Sequence, residues 1–125
     1  MKQFLVGLAV LAVVGAGVWY GWSQRPHWPK LETQYQAVLL DNGQVYYGKI
    51  ERMEREFSVL TEVYYIQTQV DPETKASRSI LVRRGSEWHA PNRSLVNTRH
   101  ILMIEPVTPG SKVAELIAAL KSHGK

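Results

Sequence analysis

The sequence predicts a mainly β protein in which an N-terminal transmembrane helix precedes a small five-stranded antiparallel barrel and a short C-terminal helix. Residues 4–22 contain no charged side chain, and as a helix they would span about 28 Å, close to the hydrocarbon thickness of a bilayer. From residue 34 onward, apolar residues come in short β-prone runs between turn signals, which is typical of small antiparallel domains. The predicted segments are a tail at 1–3, the transmembrane helix at 4–22, a juxtamembrane linker at 23–33, the β-barrel domain at 34–106, and the C-terminal helix and tail at 107–125.

Aromatic and basic residues follow the uncharged run, as they do where a helix leaves a bilayer through the headgroup region. A cleaved signal peptide is the alternative, with Val14-Gly15-Ala16 as its small-residue site. Because the apolar run continues past that site into the aromatic residues, we favour a retained anchor. A tail of three residues usually stays inside, so we expect a single-pass inner-membrane protein with a periplasmic or extracytoplasmic domain. The predicted membrane-interface residues are Trp19, Tyr20, Trp22, Arg25, Trp28 and Lys30.

The strands of the barrel are predicted at residues 35–40, 44–53, 57–70, 79–84 and 101–105. Asn42 and Gly43 tolerate positive φ, so they predict a tight hairpin turn between the first two strands. Gly48 predicts a bulge or a sharp bend in the second strand, a device that curls a sheet into a barrel. Ser111 is a good helix N-cap, and the apolar residues after it recur with helical spacing. They predict a short helix that covers the sheet.

The net charge of +4 belongs mainly to the flanks of the apolar run. Residues 31–125 contain 12 Lys and Arg against 11 Asp and Glu, a net charge of +1. A domain this close to neutral has no strong field to gather polyanions, so nucleic acid is not the expected partner. The absence of cysteine excludes disulfides and thiolate chemistry.

Two sets of side chains are candidates for a partner-binding or lipid-binding surface. Residues 78–100 contain five arginines and one glutamate, a basic face suited to anionic headgroups or an acidic protein, although solvated strand edges explain it too. Two adjacent tyrosine pairs on neighbouring strands should each send one ring outward, and cross-strand packing is the alternative explanation. The predicted surface residues are Tyr46, Tyr64, Arg78, Arg83, Arg84, Arg93 and Arg99.

The motif nearest to catalytic chemistry is Glu87-Trp88-His89, because a carboxylate beside an imidazole can transfer protons or share a metal. A loop histidine near an acid, with Trp88 packed on the barrel, is the simpler interpretation. His100 could supply a second metal ligand, but the sequence offers no convincing third, so it predicts no zinc site. Neither a Ser-His-Asp pattern nor a glycine-rich phosphate loop occurs. We therefore expect no catalytic residue, no metal and no cofactor.

Several motifs give the domain a resemblance to a family of uncharacterised bacterial proteins that have an N-terminal membrane helix and a small β-domain. The resemblance covers about residues 37–117 and implies shared architecture, without a known activity. More loosely, the opening strands and their turn are similar to Sm-like small barrels, at the level of the fold alone. The motifs are LDNGQVYYGK at 40–49, LTEVYY at 60–65, LVRRG at 81–85, EWHAP at 87–91, the strand at 101–105 and the helix start at 111–113.

These observations predict a single-pass, membrane-anchored and non-enzymatic binding or scaffold module of the bacterial cell envelope, acting through protein–protein contacts. Its expected partners are the lipid bilayer and either another envelope protein or a second copy of itself. No small-molecule substrate is identified. The alternative is an Sm-like nucleic-acid-binding domain on the cytoplasmic face of the membrane, which needs the opposite topology and a stronger basic face. A small hydrolase or metal protein centred on Glu87 and His89 ranks last.

Overall fold

The computed structural model describes residues 2–23 and 28–123, with side chains from residue 12 onward. A 3-10 turn at Thr98–His100 joins the last two strands. The helices and strands are α1 Lys2–Ser23, β1 Gln36–Leu40, β2 Val45–Met53, β3 Phe57–Val70, β4 Ser77–Arg83, β5 Arg93–Asn97, β6 Ile101–Pro106 and α2 Lys112–His123.

The strands form one open antiparallel sheet in the order β4-β3-β2-β1-β6, with β5 beside β3. Strand β3 organises this sheet because it is long enough to serve two partners along one edge. Residues 57–61 pair with β5, and residues 64–70 pair with β4. Between these two ladders the chain bulges at Glu62, which has a φ of +46°. The edge of β3 therefore changes partner at residues 62–63, and this change positions the groove described below.

The first hairpin has the turn that its sequence predicts. Asn42 Oδ1 accepts a hydrogen bond from the amide of Gln44 at 3.0 Å, and Gly43 has a φ of +81°. Further along β2, the register with β3 shifts between Tyr47 and Lys49, which confirms the bulge predicted at Gly48. A Cβ at Gly48 would lie 3.2 Å from the carbonyl oxygen of Thr61. Glycine is needed there because the two backbones approach so closely.

Two apolar clusters lie on opposite faces of the sheet, since neighbouring strand residues point to opposite sides. Helix α2 covers the first cluster, and it contributes the buried side chain of Ile117 to that cluster. Ser111 Oγ accepts a hydrogen bond from the amide of Ala114 at 3.3 Å, which is the predicted N-cap. The buried residues of the first cluster are Tyr35, Tyr64, Leu81, Val107 and Ile117. Those of the second are Val38, Leu60 and Val63.

The prediction for the N-terminal helix requires correction. No helix in the described part of the chain is long and apolar enough to cross a membrane. This finding contradicts the transmembrane helix predicted at 4–22, the single-pass inner-membrane location and the periplasmic placement that depended on it. The prediction counted nineteen uncharged positions.

The residues predicted to lie at a membrane interface are exposed where the structure describes them, and Arg25 lies outside the described residues. Their assignment depended on the transmembrane helix and is withdrawn with it. The exposed residues of this set are Trp19, Tyr20, Trp22, Trp28 and Lys30.

The predicted five-stranded Sm-like barrel is also contradicted, because the sheet is open and has six strands. The additional strand is β5, which lies in a region predicted to be a loop. Within the described residues, β6 pairs with β1 alone, and β4 pairs with β3 alone. The two ends of the sheet therefore do not join as the ends of a closed barrel would.

Candidate binding groove

A solvent-open groove of about 720 Å³ lies where β3 changes partner, between the end of β4 and the start of β5. Strand β3 forms its base, and the connection between β4 and β5 forms its wall. Three of its residues are arginines: Arg83 ends β4, Arg84 begins the connection and Arg93 begins β5. We call this feature the arginine groove. It is lined by Glu51, Thr61, Glu62, Val63, Arg83, Arg84, Gly85, Ser86, Ala90, Pro91, Asn92, Arg93 and Ser94.

The wall of the groove, residues 84–92, is an ordered loop built around Glu87. One carboxylate oxygen of Glu87 accepts from Arg84 Nε at 3.0 Å, and the other accepts from the amide of Gly85 at 2.6 Å. The backbone carbonyl of Glu87 accepts from the amide of Ala90 at 2.7 Å. The hydrogen bond from the Gly85 amide, assisted by Arg84, lowers the pKa of Glu87. This side chain is therefore a charged acceptor at neutral pH, and it fixes the shape of the loop.

Trp88 follows Glu87 and projects fully into solvent from this loop. Most of a tryptophan ring is usually buried in a folded protein. Tryptophan is also enriched among the interface residues that contribute most to the free energy of protein–protein binding. Because Glu87 holds the adjacent backbone, placing Trp88 against a partner would require little additional ordering. The prediction that Trp88 packs on the sheet is wrong.

Arg83 and Arg93 stand at the groove with exposed side chains, and no ion pair involving either occurs among the described residues. Arg84 differs, because it is bonded to Glu87 and its guanidinium lies 5.9 Å from the ring centre of Tyr46. A guanidinium offers paired N–H donors that match a carboxylate or a phosphate. Arg83 and Arg93 therefore have donors available to an anionic ligand.

The acid at the base of the groove, Glu62, is already neutralised by cations from two other elements. Lys49 Nζ on β2 lies 2.6 Å from one carboxylate oxygen, and Lys121 Nζ on α2 lies 3.3 Å from the other. The hydroxyl of Tyr35 also donates to Glu62. Burial raises the pKa of Glu62, but the hydrogen bonds outweigh it and lower the pKa to about 2. The negative charge of Glu62 is therefore already compensated, and Glu62 does not compete with a ligand for Arg83 and Arg93.

Burial and the hydrogen bond to Glu62 also raise the pKa of Tyr35 to about 12. Both groups therefore keep a fixed protonation state across the neutral range. A pair intended for proton transfer needs a pKa near the working pH, which neither group has. The network is suited to holding the sheet against α2.

Of the predicted surface residues, the structure brings Arg83, Arg84 and Arg93 together in the arginine groove. Arg78 lines a separate depression near the turn between β3 and β4, and Arg99 lies on the 3-10 turn.

The two tyrosines of the predicted surface, Tyr46 and Tyr64, also lie in different places. Tyr64 is fully buried and belongs to the first apolar cluster, so it contributes nothing to a surface. Tyr46 is half-buried against the second cluster and lies 6.5 Å from Tyr65, ring centre to ring centre.

The motif considered for catalysis is not assembled as a pair. Glu87 is engaged with the loop backbone and Arg84, whereas His89 is exposed. His100 instead faces Asp41, with Nδ1 2.6 Å from the carboxylate. In the part of the chain that the structure describes, no three His, Cys, Asp or Glu residues are grouped so that they could hold a metal ion.

Two features of the groove have no signal in the sequence. The positive φ of Glu62 arises from strand pairing at a residue type that gives no warning of it. Trp88 is exposed on the adjoining loop, whereas composition alone favours burial of such a ring. The three arginines of the groove, in contrast, are indicated by the local excess of basic residues in the sequence.

No protein-family model matches the sequence, and no curated protein is significantly similar to it. The resemblance to a bacterial family with a small β-domain therefore stays a prediction.

Proposed function

We propose that this chain is a non-enzymatic binding module that takes an acidic segment of a partner protein in the arginine groove. The observation that carries the proposal is the pair of exposed guanidiniums, Arg83 and Arg93, which face a groove and have no ion-pair partner among the described residues. Trp88, which is exposed on the loop that forms the groove wall, supports a protein partner, because aromatic and arginine side chains together are typical of interface centres.

The charge distribution supports a local rather than a global attraction. Residues 31–125 have a net charge of only +1, so long-range attraction of polyanions is weak. Two arginines at one groove are enough, however, to make charge-assisted contacts with two carboxylates. The alternative, a nucleic-acid-binding domain, needs a continuous basic path along a phosphate backbone. Arg78 and Arg99 lie outside the groove and do not extend such a path along it.

The test is a binding measurement with the full chain and labelled glycine–serine host peptides. One peptide has Glu-Ala-Glu at its centre, and its matched control has Gln-Ala-Gln. We expect the acidic peptide to bind and the control not to bind. The double substitution Arg83→Gln with Arg93→Gln should weaken binding about tenfold or more, since two charge-assisted contacts are lost.

The matched control variant is Arg78→Gln with Arg99→Gln, which removes the same charge from outside the groove. It should leave the affinity within about twofold of the parent, because neither residue lines the groove and exposed charges are partly screened by salt. Equal losses in the two double variants would overturn the proposal, as would failure of the acidic peptide to bind. A single-stranded oligonucleotide that binds through Arg83 and Arg93 while the peptide does not would support the nucleic-acid alternative instead.

A further inference from the structure

A second cavity of about 350 Å³ opens beside the arginine groove, between β5 and the turn that joins β1 to β2. We call it the hairpin cavity. Its floor is apolar, because Leu60 and Val63 of the second cluster reach it, together with the half-buried Tyr46 and Val96. The lining is completed by Leu40, Asp41, Asn42, Arg84, Ser94, Leu95, Asn97 and His100.

The hairpin cavity is continuous with the arginine groove, since Val63, Arg84 and Ser94 line both. Strand β5 runs along the two cavities, with Arg93 in the groove and Leu95 in the hairpin cavity. An extended chain advances about 3.3 Å per residue. A ligand that places a carboxylate at Arg93 therefore reaches the hairpin cavity with the side chain two residues away, which points to the same face.

The far end of the hairpin cavity sets the order of these side chains. Asp41 lies there, with its carboxylate against His100. A second acidic side chain at that end would meet a like charge, whereas an apolar side chain would pack against the exposed Leu95 and the half-buried Tyr46 and Val96. Arg83 and Arg93 therefore lie at the groove end of this continuous surface, and the apolar surface lies at its hairpin-cavity end.

We infer that the partner segment carries an apolar side chain two residues from an acidic residue, on the same face of the extended segment, and inserts that side chain into the hairpin cavity. The inference rests on the proposed function and specifies the ligand of the same site: an extended segment that has an aliphatic residue on one side of its acids. The arginines then attract and orient the segment, and the hairpin cavity selects its sequence.

The experiment compares three host peptides against the full chain, with Glu-Ala-Glu-Ala-Leu, Glu-Ala-Glu-Ala-Ala or Gln-Ala-Gln-Ala-Leu at the centre. We expect the Leu peptide to bind about tenfold more tightly than its Ala version, because the leucine side chain leaves water. The substitution Leu95→Ala should reduce this advantage. Leu102→Ala is the matched control, since Leu95 and Leu102 are both exposed, at 58% and 67%, and Leu102 lines neither cavity.

The outcomes separate this inference from the proposed function. Equal binding of the Leu and Ala peptides, both dependent on Arg83 and Arg93, would overturn the inference and leave the proposed function standing. Equal binding of the Glu-Ala-Glu-Ala-Leu and Gln-Ala-Gln-Ala-Leu peptides would overturn the proposed function. A Leu advantage that survives Leu95→Ala unchanged, or that Leu102→Ala removes equally, would place the apolar contact elsewhere and reject the hairpin cavity.

Discussion

Tyr64 presents its ring to the first cluster and buries its hydroxyl there without a hydrogen-bond partner among the described residues. A buried hydroxyl that lacks a partner loses its hydration and gains nothing in return, at a cost of about 1–3 kcal/mol. Burial likewise raises the pKa of Tyr64, because it disfavours the charged phenolate. The edge-to-face contact with Tyr35, at 6.3 Å between ring centres, would survive loss of the hydroxyl.

We therefore expect Tyr64→Phe to leave the free energy of unfolding unchanged or to raise it by up to about 1–2 kcal/mol, measured by urea denaturation. Tyr35→Phe is the matched control, because the same atom is removed where it bonds to Glu62 and to Lys121. That variant should be destabilised by about 1 kcal/mol or more. A loss of stability in Tyr64→Phe equal to that in Tyr35→Phe would show that the Tyr64 hydroxyl has a partner after all.

Individual residues of the site were predictable only where a local signal exists. Arg83, Arg84 and Arg93 stand out from local charge, and the structure places them at one groove. The side of the sheet that Tyr64 faces depends on bulges, since one extra residue reverses the alternation along a strand. Gly48 indicates a bulge, but not that its extra residue lies on β3 at residues 62–63, so the buried member of each tyrosine pair could not be assigned from the sequence.

At the scale of elements, the apolar pattern was sufficient for five strands and the last helix. The run predicted at 57–70 has the bounds of β3, and the other predicted strands differ from the observed ones by one or two residues. Strand β5 was missed because Pro91 and Asn92 before it indicate a turn, and only two of its five residues are apolar. Its place is fixed by pairing with β3, a long-range interaction that a five-residue sequence cannot announce.

The hydrogen bonds of the loop between β4 and β5 lead to a testable prediction about this element. Replacing Glu87 by Ala removes the acceptor of both Arg84 Nε and the Gly85 amide. We expect faster amide hydrogen exchange across residues 84–92 and an acidic-peptide affinity lowered about threefold to tenfold, because Trp88 and the groove wall must then be ordered on binding. The free energy of unfolding should change by less than about 1 kcal/mol, since the loop is exposed.

Glu73→Ala is the control for this loop, because it removes one exposed acid from the turn between β3 and β4. It should alter neither exchange in residues 84–92 nor peptide binding. If Glu87→Ala left exchange and affinity at the values of the parent, the ordered loop would play no part in recognition.

Several parts of the molecule are joined at the point where the arginine groove forms. Glu62 belongs to the bulge that separates β5 from β4, and it also joins three other parts of the chain. Tyr35 precedes β1, Lys49 lies on β2 and Lys121 lies on α2. A backbone conformation with positive φ in a glutamate is strained and persists only where its surroundings enforce it. The same contacts that support the groove should therefore also contribute to the stability of the whole fold.

Glu62→Gln tests this connection through its dependence on pH. The folded-state pKa of Glu62 is lowered from its ordinary value of 4.5 to about 2. Its contribution to stability is therefore complete above pH 4.5 and is lost as the pH falls toward 2. At neutral pH we expect Glu62→Gln to lower the free energy of unfolding by on the order of 1–2 kcal/mol, once solvent screening is allowed for. Thermal unfolding across this pH range would show the two proteins converging as the pH falls.

Glu54→Gln, which breaks the exposed ion pair with Arg52, should give a difference below about 0.5 kcal/mol at every pH. A Glu62→Gln deficit that stays constant down to pH 2 would mean that shape, and not charge, joins the sheet to α2.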